Sequence, residues 1–192
     1  MRAIFFACLC LIIVGCSTPD RSKYVQQLDS LSTAVENTAQ KYEALQLDQV
    51  QSRVDSVNAH LEFIQSNYQG DMKKDMSLEL SEYRSIRKLI PELGNKREEI
   101  SNNLTISRNQ ITDLKKAINE NATHDAVGNE MNDVYYKKII AQEIKANKDL
   151  VSKMEFIISR TDSVYNRYNR HYTQVKYWVD SLRSSRVRIQ PQ

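Results

Sequence analysis

Beyond position 16 the chain has no cysteine; its three are Cys8, Cys10 and Cys16. The region after residue 16 therefore carries no internal disulfide, no thiolate metal site and no cysteine nucleophile. Breakers are equally scarce: four glycines and three prolines serve 192 residues. A sandwich or barrel, which needs a turn every few residues, is excluded by that shortage. No glycine-rich phosphate loop and no Gly-x-Ser-x-Gly elbow occurs. The three histidines, His60, His124 and His171, lie far apart, and none has a second histidine or glutamate at HExxH spacing. Acidic residues are plentiful but fall on the polar faces of helical patterns, where no cleft is expected to pair them for acid–base work. The expectation is a protein that is not an enzyme, with no metal and no soluble cofactor.

Long hydrophobic runs are missing too, with one exception. Arg2 is followed by an unbroken apolar stretch from Ala3 to Val14, then by Gly15 and Cys16. Twelve residues are too few for a comfortable membrane span but suit a signal peptide. The segment Leu11-Ile12-Ile13-Val14-Gly15-Cys16 resembles the lipobox of bacterial lipoproteins. That resemblance implies diacylglyceryl transfer to the Cys16 thiol, with signal peptidase II removing residues 1–15. Two or three acyl chains on one residue make a stable anchor, where a single chain is marginal. Ser17, rather than aspartate, follows the cysteine. By the enterobacterial sorting rule this implies the outer membrane, and Thr18-Pro19-Asp20 shows no acidic cluster of the kind that exports some lipoproteins to the cell surface. The expected location is the periplasmic face.

The remaining chain, 16–192, is about one domain long. Its spacing predicts an all-α fold, an elongated up-down-up three-helix bundle with coiled-coil-like packing. The first helix, about 19–68, is expected to open with Thr18 as N-cap and Pro19 in its first turn. Its seam is Leu28, Leu31, Val35, Thr38, Tyr42, Leu45, then Val50, Val54, Val57, Leu61, Ile64 and Tyr68. One extra residue between Leu45 and Val50 predicts a local relaxation of the supercoil. Asp71 is a candidate N-cap for the second helix, about 71–121. Its seam (Tyr83, Ile86, Ile90, Leu93, Arg97, Ile100, Leu104, Ser107, Ile111, Leu114, Ile118) keeps phase through Pro91, which favours a kink over a break. Four helices split near Pro91 are the alternative. The third helix, about 130–186, carries two adjoining apolar rows, one through Ile140, Asn147, Met154 and Thr161, the other through Leu150, Ile157, Val164, His171 and Trp178. A stripe that wide suits contact with two neighbours. With about fifty residues per helix, the rod would be about 75 Å long. Asn147, Thr38, Ser107 and Arg97 interrupt the apolar rows; such residues fix register, and Arg97 is expected to snorkel.

Charge is uneven along the chain. From Arg160 to Gln192 seven basic residues face two acidic ones, a local +5 in a chain of net +3. Arg160, Arg167, Arg170, Lys176, Tyr177, Arg183, Arg186 and Arg188 form the candidate partner-binding set, because guanidinium forks hold carboxylates and phosphates and aromatic faces stack on sugars or cations. The plainer alternative places Tyr165, Tyr168 and Tyr172 in the seam as packing, with the arginines complementing a helix C-terminus. Asp-Ser before an aliphatic residue recurs at Ser30, Ser56, Ser163 and Ser181, similar to the O-glycosylation acceptor pattern of exported Bacteroidetes proteins. A heptad seam also produces such fillers by itself. The expected role is a non-catalytic binding, scaffold or adaptor protein of the envelope. Its partners would be the lipid bilayer and an envelope protein or glycan, with no nucleic acid. A holdase-like periplasmic chaperone with helical arms is the alternative.

Overall fold

The computed structural model describes residues 21–89 and 93–187, without the side chains of 93–95, 186 and 187. Cys16, the Thr18–Pro19 helix opening and Pro91 lie outside the described residues. The described residues are mainly helical, with no strand and one isolated bridge between His124 and Glu130. The helices are α1 (Ser22–Glu43), α2 (Leu47–Asn67), α3 (Lys74–Ser85), α4 (Leu93–Asn119) and α5 (Asp133–Val187), with a 3₁₀ turn at Ile86–Leu89. No helix among the described residues is long and apolar enough to cross a membrane.

Two expectations need correction. The helix expected over 19–68 is two helices, interrupted at Ala44–Gln46. The five-residue step from Leu45 to Val50 turns the apolar stripe about 100° further than a four-residue step would. The chain absorbs that turn by ending α1 and restarting at Gln46 (φ −86, ψ 69), not by unwinding a continuous supercoil. The helix expected over 71–121 is likewise not one kinked element. The α-helical ladder stops at Ser85, passes into the tighter 3₁₀ turn, and resumes as a new helix at Leu93. Proline disfavours the α region in the residue before it and cannot donate to the ladder, which suits a change of element around position 91. A smaller correction concerns the start of α3: its N-cap is Lys73, without a side-chain cap, and not Asp71.

The spacing-derived seams do identify the buried faces. Leu28, Val35, Tyr42, Val50, Val54, Val57, Leu61 and Ile64 are buried along α1 and α2. Both rows of α5 are buried, from Ile140, Met154 and Val175 to Leu150, Ile157 and Val164. α5 touches every other helix, α1 touches α4, and α2 touches α3 and the 3₁₀ turn. With 55 residues, α5 is about 80 Å long at 1.5 Å per residue. It passes unbroken alongside both interruptions.

The apolar interior falls into two clusters. A short one joins Tyr24, Leu28, Ile111, Ile118, Met131, Tyr136 and Ile140. The long one begins at Val35, Leu104 and Leu150 and continues to Val179. Between them sit two buried polar residues, Ser107 and Asn147 (5% and 1% exposed). The Ser107 hydroxyl donates to Asn147 Oδ1, and Asn147 Nδ2 donates to the Glu143 carbonyl at 2.9 Å. This polar rung joins α4 to α5 with its hydrogen bonds satisfied, the condition for burying such groups at little cost.

Candidate functional site

The chain brings polar and aromatic chemistry together at both ends of α5. At its N-terminal end the connection between α4 and α5 is tightly ordered. Asn121 (φ 52) leaves α4 in the left-handed region, and Thr123 accepts from the Met131 amide at 2.8 Å. The Asp125 carboxylate accepts from the Val127 amide (3.0 Å), the Asn129 amide (2.8 Å) and Asn129 Nδ2 (2.8 Å), an Asx turn completed by Gly128 at φ 89. These bonds hold the Asp125 carboxyl below its ordinary pKa, the Asn129 side chain contributing most. Asn132 Oδ1 caps α5 by accepting from the Tyr135 amide at 3.0 Å.

Arg21, the first described residue, ties the start of α1 to this loop. Its guanidinium donates to the carbonyls of Ala122 (3.5 Å) and Met131 (3.2 Å) and to the Tyr136 hydroxyl (3.3 Å), and it lies 4.9 Å from the Tyr136 ring centroid. Beside it the Tyr24 hydroxyl donates to Asp133, which also pairs with Lys23 (3.3 Å) and Lys137 (2.8 Å). Lys137 above all, then Tyr24, holds the Asp133 carboxyl far below its ordinary range. Nothing in the sequence pattern singled out Arg21, Tyr24, Asp133 or Tyr136. Only the Asp125-to-Asn129 stretch carried a readable signal, the Asx-turn residue types with a glycine.

At the other end of α5 the aromatic residues form a ladder inside the fold. Arg53 of α2 lies over Tyr165 (4.1 Å) and Tyr168 (5.6 Å). Tyr168 stacks on Tyr172 at 4.9 Å, Tyr172 meets His60 at 5.7 Å, and His60 faces the fully buried Tyr83 at 6.2 Å. The Tyr83 hydroxyl lies 3.1 Å from His60 Nδ1, and burial pushes the Tyr83 pKa upward. His171, buried in the second row of α5, lies with Nδ1 2.8 Å from Glu79 Oε1 of α3. These contacts bind α2, α3 and α5 together. Tyr165, Tyr168 and Tyr172 are half-buried, the first two packed against the long apolar cluster.

The candidate partner-binding residues divide by environment. Arg160 and Arg167, one heptad apart, are half-buried: Arg160 lies over Phe156 at 4.9 Å, and Arg167 donates to Ser85 Oγ at 2.6 Å. Arg170 and Tyr177, also one heptad apart, are exposed, Tyr177 by 65%. Lys176 and Arg183 form a third exposed pair, both held to Asp180, with Arg183 also 5.1 Å from the Phe63 ring. Arg186 lies in α5, its side chain beyond description, and Arg188 lies outside the described residues. Among the described side chains of the set, Arg170, Lys176, Tyr177 and Arg183 are the exposed ones.

The four Asp-Ser serines all stand inside helices. Ser30 and Ser163 donate to the carbonyl four residues back, both at 2.9 Å. Ser56 accepts from the Tyr168 hydroxyl at 3.3 Å, and Ser181 is exposed. Among the described residues no group of three or more histidine, cysteine, aspartate or glutamate side chains could hold a metal ion. No protein-family model matches this chain, and among curated proteins and solved structures none matches it.

Proposed function

We propose that this chain is a lipid-moored, periplasm-facing scaffold of the bacterial outer membrane, acting by binding and not by catalysis. The five helices are read as three lengthwise passes: α1 with α2, α3 with α4, and α5. The pairing of α1 with α4, of α2 with α3, and of α5 with all of them supports this reading. The observation that carries the role is the distance between the acylation motif and the folded body. Cys16 precedes by only five positions Arg21, whose guanidinium is bonded to the α4–α5 loop. Five extended residues reach at most about 18 Å, so the Arg21 end would stand at the bilayer and the Arg170–Arg183 surface would project away from it.

Growth with an alkyne-tagged fatty acid tests the mooring. The wild-type chain should acquire the tag and fractionate with the outer membrane. Cys16→Ala should abolish labelling, and a signal peptidase II inhibitor should leave the precursor uncut. An untagged wild-type chain, or one recovered wholly in the soluble fraction, overturns the proposal. Photocrosslinkers at Tyr177 and Arg183 should then capture an envelope protein or wall glycan more strongly than one at Val127. The reverse pattern would mean that the contact end has been misassigned.

A further inference from the structure

A recess of about 500 Å³ opens between α4 and α5, near the α4–α5 loop. Its floor is apolar: Leu114 and Ala117 from α4, Met131 at the loop end, and Tyr135 and Ile139 from α5. The loop folds back to supply a third wall through Ala122 and Ala126. Its polar lining is three carboxylates, Asp113, Asp125 and Glu143, with Gln110, Gln142 and the His124 imidazole, and no lysine or arginine lines the recess. An apolar floor, a few convergent polar groups and a volume of this size are the usual makings of a small-ligand site.

The three carboxylates are not equivalent. Asp125 is consumed by its own turn, accepting from Val127 and Asn129. Asp113 is exposed to solvent. Glu143 is half-buried, and its carboxylate accepts a long hydrogen bond from Asn147 Nδ2 at 3.5 Å. Burial alone acts on its pKa, raising it, with no nearby cation to offset the effect. Elsewhere on the molecule partly exposed carboxylates have found cations, as Glu36 and Glu43 have in Arg108 and Glu99 has in Lys153. A half-buried carboxylate beside an apolar trough, without a positive partner, complements a ligand with a positive head and an aliphatic body.

We propose that this recess binds a single-chain aliphatic amine, its alkyl chain against Leu114, Ala117, Met131 and Ile139 and its ammonium against the Glu143 carboxylate. The assignment depends on charge complementarity and shape, not on acylation of Cys16.

The test uses the full chain in phosphatidylcholine vesicles with two photoreactive probes. One is dodecylamine bearing a mid-chain diazirine, the other the matching dodecanoic acid. Labelling by the amine should saturate and map to the peptides that contain Leu114, Ala117, Met131 and Ile139. Glu143→Gln should lower that labelling about tenfold while leaving labelling by the acid unchanged. Ala117→Trp, which fills the trough, should abolish it; if that variant loses helical circular dichroism, Glu143→Gln decides alone. The proposal is overturned if the acid labels the recess as well as the amine does. It is equally overturned if amine adducts scatter over the exposed Leu78, Phe156 and Tyr177, or if Glu143→Gln changes nothing.

Discussion

Replacing Asn147 by alanine tests whether the polar rung is held by its own hydrogen bonds. The amide is 1% exposed, accepts from Ser107 and donates to the Glu143 carbonyl. Its removal leaves the Ser107 hydroxyl buried without that acceptor, a cost of about 1–3 kcal/mol. The lost side-chain atoms leave a small void that adds about 1 kcal/mol. Ser107 recovers part of this by bonding back to a carbonyl on its own helix. The net expectation for Asn147→Ala is about 2–3 kcal/mol of destabilisation, and for Ser107→Ala about 1–2 kcal/mol, because the Asn147 carbonyl is orphaned in turn. The sharper test is the double variant Ser107→Ala with Asn147→Leu. It removes both polar groups and continues the apolar row, so it should unfold at or above the wild-type urea concentration. A cycle closed by the single variants Ser107→Ala and Asn147→Leu, each of which orphans its partner, should show a coupling of about 2–5 kcal/mol, the sum of the two single costs. Urea unfolding followed by far-ultraviolet circular dichroism reads all of these proteins. Additive effects, with the double variant losing the sum of the single costs, would refute the reasoning.

Three further outcomes are expected. Arg21→Ala removes three hydrogen bonds and a cation–π contact, and should cost about 1–2 kcal/mol and speed amide exchange at Met131 and Tyr136; unchanged exchange there would count against a clasp. Burial, aided by Arg183 and Lys176, lowers the His60 pKa below its ordinary 6.5. A base whose pKa falls on folding contributes stability that is complete above the unfolded value and lost as pH drops. Stability should therefore decline between about pH 7 and pH 5, and His60→Gln should flatten that slope; an identical slope in the variant would assign the decline elsewhere. The Thr161 hydroxyl is buried with no hydrogen-bond partner, so Thr161→Val should raise stability by about 1 kcal/mol, and a fall in the urea midpoint would show that the hydroxyl is satisfied in solution.

What could be read from the sequence was the part governed by repetition. Apolar residues at steps of three and four marked the buried faces from Leu28 to Ile64 and both rows of α5, and Ser107 and Asn147 stood out because they broke those rows. The five-residue step after Leu45 was visible as a defect. Its outcome was not, because unwinding a supercoil and ending a helix are both ways to absorb the same rotation, and tertiary packing chooses between them. Phase continuity through Pro91 misled for a related reason: two helices packed on one long partner keep a common stripe whether or not the backbone between them is continuous. The clasp around Arg21 was out of reach. Its partners lie 101 to 115 positions away, and a lone arginine before a helix carries no sign of which carbonyls it will meet. The surface of the basic end was half legible: charge was countable, but which arginines would turn to Phe156, Ser85 or Phe63 was not.

The Ala44–Gln46 interruption faces the opening turns of α4, just past the second interruption. Tyr42, Glu43, Leu45 and Leu47 share a small cleft with Arg97 and Ser101, and Arg97 of α4 reaches Asp48 of α2 at 3.7 Å. Among the described helices only α5 runs unbroken past both interruptions. The core from Val35 to Val179 continues through the same level, so α5 lies there as a splint over two joints. A load applied at one extremity would be carried to the other along that splint.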